Sequence, residues 1–210
     1  MRDLPLFLTR ETKLFWGLSL YAVAGSAYLL TNHFPLRPPI ELPMTSLDNW
    51  VPFLPYTLWI YLSEYLFFLV VYYHIENLDT ANKYLYALAA LSAISALIFI
   101  VFPTTYPRHL FPLPGDLDPF TAFSFRILRE SDNPTNCSPS LHVSSVFLSA
   151  FLFINEQKKK LANFLFWGVL IALSTLTTKQ HYLADVVSGI ALSLAVYLYF
   201  FKIARYSRVE

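Results

Sequence analysis

The sequence has little charge and almost no cysteine. Only 14% of its 210 residues are charged, and 15 basic and 14 acidic side chains give a net charge of +1. This balance does not indicate nucleic-acid binding, for which a basic excess is typical. Cys137 is the only cysteine, which excludes an intrachain disulfide and a metal cluster built from cysteines. Low-complexity tracts and convincing repeats are also lacking, so we expect a single domain over residues 1–210.

Hydrophobic residues make up 56% of the chain, more than an ordinary soluble domain contains. Six apolar stretches are long enough, or nearly so, to cross a bilayer core of about 30 Å, which takes roughly 20 helical residues. They comprise residues 14–31, 55–74, 84–103, 139–154, 161–178 and 181–201. We therefore predict an all-α, multi-pass integral membrane protein built as a bundle of six transmembrane helices.

The distribution of lysine and arginine predicts how this bundle is oriented. Ten of the 15 cations fall on one side of the six segments: Arg2, Arg10, Lys13, Lys83, Lys158, Lys159, Lys160, Lys202, Arg205 and Arg208. The other five fall on the opposite side: Arg37, Arg108, Arg126, Arg129 and Lys179. Because basic loops stay in the cytoplasm, we expect both termini there and the second group on the extracytoplasmic side, which is periplasmic or luminal.

The two connections on the extracytoplasmic side, residues 32–54 and 104–138, are long and rich in proline. In the second, Asp118 followed by Pro119 is typical of a helix start, and apolar residues then recur at roughly helical spacing. We predict an interfacial helix over residues 119–130, lying on the outer leaflet. Arg126 and Arg129 would form its polar edge and could bind anionic head groups.

His181 and Asp185 form the most informative pair in the chain. They are four residues apart within an apolar segment, a spacing that would place an imidazole and a carboxylate on one helix face. An ionisable pair inside a membrane segment indicates a functional site. The sequence therefore predicts chemistry at this point of the bundle.

A second histidine, His142, lies near the start of another apolar segment. We expect Ser138 to cap that helix and Pro139 to occupy its first position, where a missing N–H group costs nothing. The free N–H groups that follow, around Ser140 and Leu141, would form an anion site. A phosphate bound there would contact His142.

Two interpretations of these residues need no phosphate chemistry. His142, His181 and Asp185 are also a set of two histidines and one carboxylate that could bind iron or zinc, although no further ligand cluster supports this. The other interpretation is a membrane scaffold without catalytic activity.

Two short motifs resemble those of the type 2 phosphatidic acid phosphatase (PAP2) superfamily. The segment Pro139-Ser140-Leu141-His142 resembles its P-S-x-H motif, and residues 181–185 resemble the H-x-x-x-D end of its last motif. Residues 180–189 are most similar to the branch that contains inositol phosphorylceramide synthase. The resemblance covers most of the chain and implies a metal-independent enzyme that acts on a lipid phosphate or diphosphate among the membrane lipids, with no cofactor.

The resemblance also implies a role for each matching residue. His181 would attack phosphorus and form a phosphohistidine, and Asp185 would hold the other ring nitrogen of His181. His142 would protonate the leaving alkoxide and then activate the acceptor. Ser140 and neighbouring N–H groups would bind phosphoryl oxygens. With water as acceptor the enzyme is a phosphatase, which we expect first; with an alcohol it is a phosphotransferase.

At two positions the chain lacks a cation that the family motifs contain. Thr175 follows Ser174 where the last motif has arginine, and Val101 occupies the lysine position of the first motif. Phosphoryl transfer needs cations around the phosphoryl oxygens, so we expect replacements. Lys179, one turn beyond Thr175 on the same helix face, is the first candidate for phosphate binding. The others are Arg108, Arg126 and Arg129.

Overall fold

A computed structural model describes residues 3–208, and the chain is mostly helical, at 67%. The helices are α1 Lys13–His33, α2 Ser46–Trp50, α3 Leu58–His74, α4 Leu78–Val101, α5 Pro119–Ser131, α6 Leu141–Phe151, α7 Lys158–Thr177 and α8 Leu183–Leu198. Short 3-10 turns cover Pro55–Thr57 and Arg108–Leu110, and a π-helical turn, Tyr199–Ile203, follows α8.

Two short parallel strand pairs accompany the helices and were not predicted. The strand β1, Leu4–Leu6, pairs with β4, Tyr206–Arg208, near the two ends of the chain. The strand β2, Ile40–Glu41, pairs with β3, Thr104–Thr105, and so joins the two long connections. Both pairs hold segments that are distant in sequence.

Within residues 3–208, four helices are long and apolar enough to cross a membrane. They are Lys13–His33, Leu78–Val101, Lys158–Thr177 and Leu183–Ile203. The predicted helix 139–154 is shorter than expected, because α6 has only 11 residues and is about 16 Å long. Beyond α6 the N–H groups of Phe153 and Ile154 bond to carbonyls three residues back, so the chain continues as turns.

Helix boundaries differ from the predictions mainly where charged residues lie. Lys83, expected in a connection, lies inside α4, and Lys158 to Lys160 form the first turn of α7. Asn77 caps α4 by accepting hydrogen bonds from the N–H groups of Asp79 and Thr80. Hydropathy marks the apolar part of a helix, whereas the cap determines where the helix begins.

The helix α6 lies at the centre of the molecule and packs against α3, α4, α7 and α8, while α1 packs along α4. The largest core cluster includes fully buried Phe67, Leu91, Val146 and Ile171. At Gly189 of α8 an added Cβ atom would lie 2.8 Å from the Ser140 carbonyl oxygen. Glycine therefore allows α8 to approach the start of α6 closely.

The two ends of the bundle have different composition. At one end the Lys13 ammonium donates to the Ile75 carbonyl, and Lys160 pairs with Glu76 at 2.8 Å. The opposite end contains the first turns of α6 and α8, the C-terminal ends of α1, α4 and α7, and the pair β2–β3. We call it the histidine end, because His142 and His181 lie there.

Candidate active site

The end of α7 determines where His181 is placed. Lys179 adopts a left-handed backbone conformation with φ 57°. The Gln180 N–H donates to the Thr175 carbonyl at 3.0 Å, and the Lys179 N–H donates to the Leu176 carbonyl at 3.2 Å. This is the hydrogen-bond pattern that ends many helices, although glycine usually takes the left-handed position. Lysine there costs about 1 to 2 kcal/mol. His181 consequently lies in the connection between α7 and α8.

Asp185 contacts His181 by reaching back over the start of α8. Tyr182 is the N-cap and Asp185 the third helical residue, whose Oδ2 accepts the Tyr182 N–H at 2.9 Å. The same oxygen lies 3.3 Å from His181 Nδ1. The predicted helix start at 181 is therefore wrong, and with it the expectation that both residues share one helix face. The two side chains meet nevertheless.

The partners of His181 determine which ring nitrogen is free. Nδ1 lies 3.0 Å from the Cys137 carbonyl oxygen and 3.3 Å from Asp185 Oδ2, and both atoms are acceptors. Nδ1 therefore carries the hydrogen, and in the neutral ring Nε2 keeps its lone pair. His181 and Asp185 are buried, so water does not compete strongly for these bonds.

The first turn of α6 differs from the prediction by two residues. Ser140, not Ser138, is the N-cap, and its Oγ accepts the Val143 N–H at 3.4 Å. The Ser140 N–H donates to the Asp185 carbonyl, which fixes Ser140 outside the helix. Ser138 is occupied elsewhere, because its N–H donates to Thr104 Oγ1 at 2.8 Å.

Two backbone N–H groups at this turn remain free. Within residues 3–208, those of Leu141 and His142 have no acceptor. They lie at the positive end of a helix dipole, which favours an anion. The Ser140 hydroxyl is fully buried and already bonded as a cap, so the free N–H groups are the better placed donors.

His142 and His181 approach each other as predicted. Their ring centroids are 5.8 Å apart with an interplanar angle of 62°. The Nε2 atom of His142 lies 2.7 Å from the Tyr61 hydroxyl and 3.3 Å from Glu64 Oε2. Its Nδ1 atom is buried and has no partner in the described part of the chain. Each histidine is thus next to a buried carboxyl group.

Tyr61 and Glu64 were not predicted as partners of His142. A glutamate midway along an apolar segment is expected to face the interior of the bundle, and Glu64 is buried. Its other oxygen lies 3.5 Å from Ser145 Oγ. Nothing in the sequence connects these residues to His142, which is 81 positions beyond Tyr61.

Arg108 is linked to the surroundings of His142 through Asp132 and Tyr28. Its guanidinium bonds to the Asp132 carbonyl and lies 3.3 Å from Asp132 Oδ2, and it is buried. The Tyr28 hydroxyl donates to the same carboxylate at 2.6 Å, and the Tyr28 ring centroid lies 6.4 Å from that of His142. Within the described residues Arg108 Nε has no acceptor.

Lys179 has other partners than those expected. Its ammonium donates to the carbonyls of Asp48 and Val51, at 3.1 and 2.6 Å, and lies 4.8 Å from the Phe111 ring centroid. Burial lowers the pKa of Lys179, while the charge of Asp48 opposes the change. Because α7 ends before Lys179, the expectation that it continues the helix face of Thr175 is wrong. Phosphate binding by Lys179 stays a prediction.

The predicted helix after Asp118 is present as α5. Asp118 accepts the N–H groups of Phe120 and Thr121, and Pro119 is the first helical residue. Its two arginines do not form one polar edge. Arg126 is exposed, whereas Arg129 donates to the Phe111 carbonyl and its guanidinium carbon lies 4.9 Å from the Phe125 ring centroid.

Asp48 is a supporting residue that was not predicted. With Thr45 it forms the capping box of α2, and its Oδ1 accepts the Leu183 N–H at 2.7 Å. Burial raises the pKa of the Asp48 carboxyl, but hydrogen bonds from Leu183 and Thr45 and the charge of Lys179 outweigh it, so the pKa lies below its usual value. The pattern Thr-x-x-Asp at 45–48 is the sequence signal.

One group of described residues has the composition of a metal site. Ligand atoms of Cys137, His181 and Asp185 lie within 4.8 Å of one another, a set that replaces the expected His142 by cysteine. Burial raises the pKa of the Cys137 thiol well above its usual value, and the charge of Asp185 adds to this. A metal bound here would have to displace the thiol proton, since metals bind the thiolate.

Comparison with known protein families gives a match. The family model for the PAP2 superfamily matches residues 44–199, which include both histidines and Asp185. No curated protein matches the chain.

Proposed function

Because the chain belongs to the PAP2 superfamily, we propose that it is a membrane lipid phosphate phosphatase that works through a phosphohistidine. Members of this superfamily are generally phosphatases or phosphotransferases, and the family acts on lipid phosphates. The observation that carries the proposal is that buried His181 and partly buried His142 lie next to each other, with Nδ1 of His181 and Nε2 of His142 held by neighbouring residues.

In the first step His181 Nε2 attacks phosphorus. The bond between phosphorus and the lipid oxygen breaks, and the phosphoryl group is transferred to the imidazole. Asp185 and the Cys137 carbonyl stabilise the positive charge that develops on the ring. The N–H groups of Leu141 and His142 donate to the non-bridging oxygens.

His142 acts as the general acid of this step and the general base of the next. Its Nδ1 donates a proton to the leaving alkoxide, which departs as the lipid alcohol. Nε2 meanwhile remains hydrogen-bonded to the Tyr61 hydroxyl, with the Glu64 carboxyl 3.3 Å away, so these residues hold the ring in place. Water then enters, His142 removes its proton, and attack on phosphorus releases phosphate and restores His181.

Arg108 is the cation that we assign to the phosphoryl oxygens. It is buried and pairs with Asp132, which also bonds Tyr28 beside His142. Its Nε–H group has no acceptor among residues 3–208. Lys179 supports the site differently, since it ties the start of α8 to α2 through carbonyl oxygens.

We further propose that the chain forms one domain of six membrane helices, with α3 and α6 joining the four long ones. Both termini would be cytoplasmic, the histidine end extracytoplasmic, and α5 would lie on the outer leaflet. Ten of the 15 cations on the opposite side support this orientation. A cysteine introduced at exposed Arg126, in a Cys137→Ser background, should react with an impermeant maleimide in intact cells. Labelling that requires permeabilisation would reverse the orientation.

The alternative is a phosphotransferase, in which an alcohol replaces water in the second step. The resemblance of residues 180–189 to the inositol phosphorylceramide synthase branch supports it. Product analysis distinguishes the two, because transfer yields a phosphorylated alcohol whereas hydrolysis yields free phosphate.

The test uses purified protein in detergent and measures phosphate release from phosphatidate, prenyl diphosphates and sphingolipid phosphates, with and without inositol. Both His181→Ala and His142→Ala should abolish turnover of any substrate that the parent accepts. His109→Ala is the matched control, because His109 is an exposed histidine in the outer connection between α4 and α6. Near-normal turnover by His181→Ala would refute the phosphohistidine proposal.

A further inference from the structure

A cavity of about 370 Å³ opens beside His142, between α1 and α3. Its lining includes Gly25 of α1, Phe68 of α3, Leu88 of α4, Asp132 and His142. Polar groups are concentrated near His142 and Asp132, while Phe68 and Leu88 lie farther along α3 and α4. The cavity thus has a polar part next to the site and an apolar part that leads away from it.

The cavity is open towards the side of the bundle. Tyr21 and Leu29 of α1 and Tyr65 of α3 line it and are exposed. Farther from the histidine end α1 and α3 touch, since a Cβ atom added at Gly17 would lie 2.4 Å from the Tyr72 ring. The opening is therefore a gap between these two helices, and it faces outward from the side of the bundle.

We propose that this cavity, which we call the tail chamber, binds one hydrocarbon chain of the lipid phosphate substrate. The inference rests on the proposed function and adds where the chain lies and how long it can be. The decisive observation is that the chamber touches His142 but not His181. In an in-line displacement the leaving alcohol lies opposite the nucleophile, so its chain must extend from the side of the general acid.

The volume of the chamber limits its occupant to a single chain. An engineered cavity of about 150 Å³ binds benzene, which has six carbons, so 370 Å³ corresponds to roughly fifteen carbon atoms. A second chain would remain in the bilayer. Contacts between the bound chain and the chamber wall favour chains up to this length.

Gly25 is the position that controls this space. It lines the chamber, and a Cβ atom added there would meet no atom of the described residues within 4 Å. A larger side chain at this position can therefore enter the chamber and reduce its volume. Replacing glycine within a helix also improves helix propensity by up to about 1 kcal/mol, so these variants should fold. Alanine, leucine and tryptophan add one, four and nine carbons.

The test measures kcat/KM for alkyl phosphates of 4 to 18 carbons in detergent. Gly25→Trp should lower the value for the 16-carbon substrate at least tenfold and change that of the 4-carbon substrate less than twofold, with Gly25→Leu intermediate. Ala22→Leu is the matched control, because Ala22 is exposed on α1 and does not line the chamber. Equal losses at every chain length, or no loss at all, would overturn the proposal.

A binding measurement separates this inference from the proposed function. Alkylphosphonates are not hydrolysed, and their binding is followed by protection against thermal unfolding. If the parent turns over no lipid phosphate, stronger protection by the 16-carbon than by the 4-carbon phosphonate, lost in Gly25→Trp, still supports the chamber. Equal protection by both phosphonates in the parent refutes the chamber whether or not the enzyme is active.

Discussion

Replacing Glu64 by glutamine tests whether His142 needs a carboxylate of its own. The substitution keeps the size and the hydrogen-bonding oxygen of the side chain but removes its ability to become negative. Glu64 Oε2 lies 3.3 Å from His142 Nε2, and both side chains are largely buried. The glutamate would stabilise His142 when the ring carries the proton that the leaving group receives.

The expected effect follows from that distance. Two unit charges 3.3 Å apart attract by about 5 kcal/mol at an effective dielectric constant near 20. Removing the carboxylate from water cancels part of this, and charge-assisted hydrogen bonds contribute about 1.5 to 3 kcal/mol net. We therefore expect Glu64→Gln to lower kcat by about 10- to 150-fold.

The assay is phosphate release by purified variants, with the melting temperature in detergent as the measure of folding. Glu64→Asp should retain part of the activity because it keeps the charge at a longer distance. Glu76→Gln is the control, since Glu76 pairs with Lys160 at the opposite end and should not affect kcat. A folded Glu64→Gln variant with kcat within twofold of the parent would refute the role.

Four further results are expected. Asp185→Asn should reduce kcat by about 10⁴-fold with little change in KM, as loss of the orienting carboxylate does in other triads; a loss below tenfold would contradict its role. Arg108→Gln should lower kcat more than Lys179→Gln, which should mainly lower the melting temperature; the reverse order would restore Lys179 as the phosphate ligand. EDTA should leave the rate unchanged and vanadate should inhibit, whereas recovery of an EDTA-treated enzyme by one divalent ion would establish a metal. Asp48→Asn should melt below the parent at pH 7, and because the folded pKa of Asp48 is lowered, the difference should disappear as the pH falls below about 4; a constant difference would contradict this.

Most of the helical structure could be predicted from the sequence because it depends on local properties. Apolar runs of about 20 residues favour helices wherever they occur, and the core of each predicted segment is helical. Asp118 and Pro119 start α5 as expected, since capping involves residues three or fewer positions apart. Hydropathy alone did not give the true starts of α4 and α7, because their first turns are charged.

The candidate histidines could also be found in the sequence, but not the way in which they are held. His181 and Asp185 meet through the cap of α8 and not along a helix, because Lys179 turns the chain into a left-handed conformation first. That turn lacks the glycine that usually marks it. The displaced cap at Ser140 likewise depends on a bond to Asp185, 45 residues away in sequence.

The sequence by itself determined which segments are apolar helices and which two histidines belong to the site. Tertiary structure decided the rest: that Glu64 and Tyr61 contact His142, that Lys179 binds carbonyls of the first outer connection, and that a chamber opens beside Gly25. The physical reason is range. Helix formation and capping depend on neighbours along the chain, whereas side-chain partners and cavities depend on which faces of distant helices pack together.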